Sequence, residues 1–281
     1  MNYEEVKKLN PPDFKRYCGV HIETFNDMVK IVKAEKILQK KPGRKSKLSI
    51  EDQILMTLAY LREYRPFFHL AIDWGINQSN VCRIVNKIEK ILISSGLFSL
   101  LGKRKLIPSE MEIEIVAIDV SEHEIERPQK KQKSYYSGKQ GYHTIKSQLL
   151  VNKKSAEIIC TAFAKGKVHD FNLFKKSKIN INEDTRCLAD KGYQGINKIH
   201  KNSTIPIKKR RKKKLSLEEK EFNRQLAKER IIVEHIHRHL KIFKILSSRY
   251  RNRRKRFGLR FNLIAGIYNY ELSLKTKLAI A

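Results

Sequence analysis

The chain has 281 residues and carries 60 lysines and arginines against 29 aspartates and glutamates, a formal net charge of +31. Hydrophobic residues make up 41% of it, which is enough for a buried core, and no stretch approaches the roughly 20 apolar residues that span a bilayer. The first residues also lack the apolar run of a signal peptide, so we expect a cytoplasmic protein with a polyanionic partner, above all nucleic acid. A ribosome-associated or merely lysine-rich protein from an AT-rich genome is the alternative.

The first predicted elements are helices. Apolar residues recur at spacings of three and four from residue 1 to about 40, and a basic loop with Pro42-Gly43 follows. This loop is either a flexible arm on DNA or a solvated linker. Ser49 opens the next helix, with Asp52 as its capping-box partner. That helix ends near Arg65-Pro66, because a proline disfavours helical geometry in the residue before it.

Two further helices are predicted between residues 66 and 92, joined at Gly75 to Asn77. Glycine permits the tight turn, and Asn77 or Ser79 caps the second helix. The spacing of Ala71, Gly75 and Val81 is similar to that of the helix-turn-helix in DNA-binding proteins. The predicted apolar residues are Phe68, Leu70, Ala71 and Ile72 on the first helix and Val81, Ile84, Val85, Ile88 and Leu92 on the second.

The start of the second helix carries polar residues that suit DNA recognition. The N-terminal end of a recognition helix faces the major groove, where asparagine and glutamine pair with adenine and arginine pairs with guanine. The residues expected to contact bases or phosphates are Gln78, Ser79, Asn80 and Arg83. The alternative is an ordinary helical hairpin with a polar outer face.

Strand-forming segments dominate after residue 106. The first strand, EIEIVAID, ends at Asp119, and a long helix begins at Ser216 with Glu219 as its capping-box partner. Further strands are predicted at 141–152, 156–166, 185–190 and 203–208, with a short helix at 169–178. This order predicts an α/β domain over residues 106–281, preceded by a helical domain with the helix-turn-helix over residues 1–105.

Three acidic residues occupy positions that suit chemistry. Asp119 and Asp190 each end a predicted strand, where ligands bind in open α/β sheets, and Glu234 flanks the buried stripe of the long helix. Three carboxylates suit Mg²⁺ or Mn²⁺, and two such ions can assist an in-line displacement at phosphorus. The stripe is predicted to comprise Phe222, Leu226, Val233, Ile236, Leu240 and Phe243.

Each acid also has a purely structural interpretation. Asp119 and Asp190 can each serve a turn, and Glu234 can pair with an arginine one helical turn away on either side. Asp170, in KVHDFNLF, is interpreted as a helix N-cap before it is considered as a ligand. Taken singly, none of these residues decides between the two interpretations.

Several ordered motifs carry a family resemblance. A D-x-G-Y motif is matched by Asp190, Gly192 and Tyr193, and an R-x-x-x-E motif is matched by Arg230 and Glu234. The other segments that carry the resemblance are AIDVSEHEIERP, YYSGKQGYHTIKSQLLV and GKVHDFNLF. Over about residues 115 to 270 the chain resembles the DDE transposases of bacterial insertion sequences, close to the insertion-sequence family numbered five and the Harbinger-like group.

The resemblance implies a ribonuclease-H-like catalytic domain, with a mixed sheet flanked by helices, that performs metal-dependent DNA cleavage and strand transfer. It implies that Asp119, Asp190 and Glu234 bind two Mg²⁺ or Mn²⁺ ions, with Asp170 as the runner-up for the second acid. The implied partners are double-stranded DNA, as terminal inverted repeats and target, and further copies of the chain in a homodimer or larger synaptic multimer. The implied location is the bacterial nucleoid. A catalytically inactive or domesticated DNA-binding protein is the alternative.

Clusters of cations predict further DNA contacts. The run KKRRKKK, Lys208 to Lys214, is a solvated loop, a DNA-binding segment or both. The residues expected to contact DNA in this half of the chain are Lys208, Lys209, Arg210, Arg211, Lys212, Arg230 and Lys241.

Cysteines and histidines do not indicate a zinc site. The four cysteines are spread along the chain without a CxxC pair, which predicts reduced thiols. His235 and His239 are four residues apart on the long helix, and we interpret them as surface or DNA-facing groups.

Overall fold

The computed structural model of the protein describes residues 2–38, 46–106, 113–209 and 214–280. Three predicted DNA contacts, Arg210, Arg211 and Lys212, lie outside the described residues, as does the predicted turn at Pro42-Gly43. The chain divides into two compact units. The first comprises Met1–Ser99, Leu240–Ser248 and Arg256–Ala281, and the second comprises Leu100–His239 and Arg249–Lys255.

In the part of the chain that the structure describes, the strands belong to the second unit. The helices of the described residues are α1 (Tyr3–Val6), α2 (Pro11–Cys18), α3 (Ile22–Ile37), α4 (Ile50–Glu63), α5 (Phe67–Asp73), α6 (Gln78–Ser94), α7 (Gln132–Tyr135), α8 (Asp170–Ser177), α9 (Leu217–Lys241), α10 (Lys244–Ser247) and α11 (Phe257–Ile280). The strands are β1 (Ile115–Glu124), β2 (Tyr136–Ser137), β3 (Tyr142–Asn152), β4 (Ile158–Lys165), β5 (Arg186–Leu188) and β6 (Ser203–Thr204). None of these helices is apolar over a length that could cross a membrane.

Glycine divides the helical segment predicted at the N-terminus. Gly19 ends α2 with φ +86°, a left-handed conformation that favours glycine, and α3 starts three residues later. A β-carbon at Gly19 would also lie 2.8 Å from the ring of Phe243. The predicted start of the next helix is confirmed, because the Ser49 hydroxyl accepts a hydrogen bond from the backbone N–H of Asp52 at 3.0 Å.

The predicted helix-turn-helix is formed by α5 and α6. Gly75 has φ +57° in the turn between them, and Asn77, not Ser79, caps α6 by accepting a hydrogen bond from the Ser79 N–H at 2.9 Å. On α6 the predicted stripe is buried except for Ile84, which is half-buried. On α5 Leu70 and Ala71 are buried, whereas Phe68 and Ile72 are 57% and 65% exposed. A seven-residue helix offers only one face to the core, and these two side chains lie on the other.

The second unit contains a mixed sheet. Within the described residues β1 pairs antiparallel with β3, and β3 pairs antiparallel with β4. On its other side β1 pairs parallel with β5, and β5 pairs parallel with β6. β2 adds a two-residue antiparallel pairing at the start of β3. The helix α8 packs on β3 and β4 over a core that includes Val116, Ile118, Leu150, Phe174 and Tyr193. The predicted fold class, α/β with helices flanking a mixed sheet, is confirmed.

Strand β1 is longer than predicted, and this changes the position of Asp119. The strand continues to Glu124 because the polar residues after Asp119 still pair with β3, as in Ser121 with Ser147 and Glu122 with Lys146. Asp119 therefore lies in the middle of a strand, and the prediction that it ends one was wrong. Strand β6 is shorter than predicted, since Pro206 has no N–H to continue its pairing.

Helix α9 begins as predicted. The Ser216 hydroxyl accepts from the Glu219 N–H at 3.1 Å, and the Glu219 carboxylate accepts from the Ser216 N–H at 2.8 Å, which completes the capping box. The predicted stripe is buried from Leu226 onward, but Phe222 is 41% exposed, so the buried face starts one turn later. By its contacts α11 belongs to the first compact unit, and the predicted domain division at residues 105 and 106 stays a prediction.

Candidate active site

The two aspartates of the candidate site are brought together by strand pairing. The parallel pairing of β1 and β5 ends at Ala117 opposite Leu188, so Asp119 and Asp190 each follow that pair by two residues. Side chains two residues apart on a strand share a face. Asp190 retains extended geometry, with φ −87° and ψ −178°. Both carboxylates therefore leave the same face of the sheet at the same end of β5.

Helix α9 covers this face with three polar side chains. Arg230, Glu234 and His237 are spaced by four and three residues, which places them on one side of the helix. The Arg230 guanidinium lies 3.3 Å from Asp119 Oδ1, and His237 Nε2 lies 3.5 Å from Asp119 Oδ2. Glu234, between them in sequence, is exposed. His237 was not predicted as a site residue from the sequence, although its spacing of three from Glu234 could have indicated it.

Burial and neighbouring charges act on Asp119. Burial raises the pKa of the Asp119 carboxyl to about 6, Arg230 opposes this change, and the charges of Asp190 and Glu234 raise the pKa further. Asp190 and Glu234 are thus close enough to repel the Asp119 carboxylate. Such repulsion favours either a proton or a cation among the carboxylates.

The turn after Asp190 contains a fourth acid. The Asp190 Oδ1 atom accepts a hydrogen bond from the Gly192 N–H at 2.8 Å. A β-carbon built on Gly192 would lie 2.7 Å from Asp170 Oδ2 and 3.0 Å from Asp190 Oδ1, so both carboxylates lie close to this glycine. Asp170 is the first residue of α8, and the N-cap is His169, so the N-cap interpretation of Asp170 was wrong. Its carboxylate instead accepts a hydrogen bond from Lys146 Nζ at 2.8 Å.

Protein groups contact both carboxylate oxygens of Asp119 and one of Asp190. Among residues 2–38, 46–106, 113–209 and 214–280, no three histidine, cysteine, aspartate or glutamate side chains are already arranged to bind one metal ion. Asp119 interacts with Arg230 and His237, and Asp190 interacts with the Gly192 N–H. The donor set is nevertheless all oxygen, which suits a hard divalent cation.

The candidate DNA contacts of α6 are accessible. Gln78, Ser79, Asn80 and Arg83 are all exposed, and Asn80 Oδ1 accepts a hydrogen bond from Arg83 at 3.0 Å. Gln78, Asn80 and Arg83 border an open groove that α5 lines with Phe68 and Ile72. In the rest of the described chain Lys208, Lys209 and Lys241 are exposed, whereas Arg230 faces Asp119.

Comparison with known proteins identifies the class of this fold and site. A family model described as DDE superfamily endonuclease matches residues 118–269, and a model described as the helix-turn-helix of DDE superfamily endonuclease matches residues 46–98. The chain belongs to the DDE superfamily of endonucleases, which use divalent metal ions, and its helix-turn-helix is a DNA-binding element.

A particular relative extends the likeness to nearly the whole chain. The protein is 56% identical over 275 residues to a probable transposase for insertion sequence element IS702 from Microchaete diplosiphon. The alignment covers 98% of this chain and 100% of the relative. No solved structure matches the chain.

Proposed function

We propose that the protein is the transposase of a bacterial insertion sequence. It recognises the terminal inverted repeats of its element through α6, cleaves DNA at the element ends and transfers the ends to a target in the nucleoid. The likeness to a probable transposase over the full length supports this function. A synaptic complex must join two ends, so we propose that the active form is a homodimer or a larger multimer on DNA.

The catalytic residues in this proposal are Asp119, Asp190 and Glu234. The main support is that both aspartates follow the last parallel pair of β1 and β5 by two residues, which places them together. The raised pKa of Asp119 fits a cation site, because a divalent ion among the acids would remove their mutual repulsion. We propose that these three residues bind Mg²⁺ or Mn²⁺, two ions in the active complex. When bound, such ions supply Lewis acidity for the attacking and leaving oxygens of the phosphodiester.

The other residues of the site orient the catalytic carboxylates and neutralise their charge. The Gly192 N–H fixes one oxygen of Asp190, which leaves its second oxygen for a ligand. Arg230 holds Asp119 in the free protein, and a guanidinium at this position can also bind a DNA phosphate. Asp190 is preferred over Asp170 as the second acid because the charge of Asp170 is paired with the Lys146 ammonium, whereas the Gly192 N–H that holds Asp190 is neutral.

The decisive experiment is cleavage of labelled DNA that carries the inverted repeats flanking the gene. We expect the protein to cleave this DNA with Mg²⁺ and to lose cleavage, but not DNA binding, in Asp119→Asn, Asp190→Asn and Glu234→Gln. Binding without cleavage by the unaltered protein would favour the inactive DNA-binding alternative. An active Asp190→Asn together with an inactive Asp170→Asn would move the second acid to Asp170.

A further inference from the structure

A buried lysine lies behind the candidate site, on the face of the sheet opposite Asp119. Opposed residues of an antiparallel ladder share a face, so Lys146, paired with Glu122, points away from the Asp119 side. Its side chain is only 11% exposed. It donates to Asp170 at 2.8 Å and lies 3.7 Å from Glu122 Oε1. The other oxygen of that carboxylate, Glu122 Oε2, accepts from the Thr144 hydroxyl at 2.8 Å. Burying a charged lysine is unfavourable unless its partners are held in place.

Asp170 connects this lysine to the turn that carries the second catalytic acid. One oxygen of Asp170 bonds to Lys146, and the other packs against Gly192. The Gly192 N–H in turn holds Asp190. The chain of contacts therefore runs from strand β3 through Lys146 and Asp170 to the backbone beside Asp190.

A second contact ties the same turn to the same strand. The Tyr193 side chain is fully buried, and its hydroxyl donates to Gln148 Oε1 at 3.3 Å. Gln148 lies two residues from Lys146 on β3 and so shares its face. The turn Lys191–Tyr193 is thus attached to β3 at two neighbouring positions.

We propose that Lys146 and Asp170 are a positioning pair for the metal site: their ion pair holds the turn Lys191–Tyr193, and through it the carboxylate of Asp190. Neither residue is a metal ligand in this proposal. It rests on the proposed function, since Asp190 must bind the ion. Partners behind a ligand commonly affect metal affinity by about 10- to 100-fold.

Whether Lys146→Met weakens or strengthens Mn²⁺ binding distinguishes a positioning role of Lys146 from a purely electrostatic one. Removing a cation near an acidic site strengthens divalent-ion binding if charge alone matters. Positioning predicts the opposite, because the turn loses its attachment. We expect Lys146→Met to weaken Mn²⁺ binding by roughly 10-fold, measured by calorimetry and by Mn²⁺ electron paramagnetic resonance on the protein without DNA.

A second variant removes the pair without changing the net charge. Lys146→Met combined with Asp170→Leu replaces a buried ion pair by apolar side chains of similar volume, which folded proteins commonly tolerate. We expect this double variant to fold, as judged by circular dichroism and thermal unfolding, and to bind Mn²⁺ at least several-fold more weakly. The matched control is Glu229→Gln, which breaks an ion pair of the same unit with Arg186 and Lys153. It should leave Mn²⁺ affinity unchanged.

The outcomes are distinct from those that test the proposed function. Tighter or unchanged Mn²⁺ binding by Lys146→Met, with the unaltered protein binding Mn²⁺ and cleaving DNA, overturns the positioning pair alone. Loss of Mn²⁺ binding in Asp170→Asn as complete as in Asp119→Asn overturns it in favour of direct ligation by Asp170. If the unaltered protein neither binds Mn²⁺ nor cleaves DNA, the proposed function fails and the inference fails with it.

Discussion

Gly192→Ala is the smallest change that tests the arrangement of the acids. The added β-carbon would lie 2.7 Å from Asp170 Oδ2 and 3.0 Å from Asp190 Oδ1, whereas ordinary contacts begin at 3.4 Å. The two oxygens must therefore retreat by about 0.7 and 0.4 Å. Gly192 does not have a left-handed backbone, so alanine adds a collision without backbone strain.

Neither carboxylate can move freely away from the added β-carbon. Asp170 is bonded to Lys146, and Asp190 accepts from the N–H of the substituted residue itself. Misplacement of catalytic groups by about 1 Å can reduce rates 100-fold, so shifts of roughly half that size predict a fall of about 10-fold or more in the cleavage rate. Overpacking should also lower the free energy of unfolding by about 1–3 kcal/mol.

The assay compares cleavage of labelled element-end DNA at saturating Mg²⁺, DNA binding and thermal unfolding. Gly138→Ala is the matched control, since a β-carbon there meets nothing within 4 Å and the backbone is not left-handed either. It should cleave at the unaltered rate. Cleavage by Gly192→Ala at the rate of Gly138→Ala would refute the claim that the acids close on Gly192.

Three further predictions concern other parts of the molecule. Glu89→Gln should destabilise the first unit by about 3 kcal/mol in urea unfolding, because the fully buried carboxylate accepts from Arg256 at 2.9 Å and Arg260 at 2.7 Å. The pKa of Glu229 lies below its usual range, because burial raises it but the Lys153 hydrogen bond and the Arg186 charge lower it by more. The stabilisation from the ionised carboxylate should therefore be lost as the pH falls through that lowered pKa. DNA binding should weaken by orders of magnitude between about 50 and 200 mM salt, as expected for many phosphate contacts.

Each of these has a contrary result. An unfolding free energy unchanged in Glu89→Gln would mean that the two arginines find equal partners elsewhere. For Glu229 the stability difference between the unaltered protein and Glu229→Gln must shrink at acidic pH, and a constant difference contradicts the lowered pKa. A flat salt dependence would remove the argument from net charge.

Local sequence patterns predicted the features that depend on residues close in sequence, such as helix caps and turns. The caps at Ser49 and Ser216 and the turn at Gly75 follow from residues within a few positions of each other, and all three are found. The acids Asp119 and Asp190 were identified from motifs, but their common face depends on the register of β1 and β5. The hydrophobic pattern of one strand indicates which of its faces is buried, but it does not identify which residues of a strand about 70 positions away pair with it.

Contacts between distant residues were not predictable from the same patterns. The end of β1 was misplaced because Ser121 to Glu124 are polar, and only their pairing with β3 keeps them in a strand. Glu89 lies among apolar neighbours on α6. Its burial depends on Arg256 and Arg260, which follow it by 167 and 171 residues and donate hydrogen bonds to it. His237 likewise becomes significant only when α9 is placed over Asp119.

The common offset of the two aspartates has a consequence for how such a chain can change in length. Asp119 and Asp190 are 71 residues apart in sequence, but each lies only two residues beyond the last parallel pair, Ala117 and Leu188. The lengths of the loops within that interval therefore do not decide whether the two carboxylates meet. A loop between the strands can gain or lose residues without moving either carboxylate. One residue inserted between Ala117 and Asp119, in contrast, would turn that carboxylate to the opposite face of the sheet.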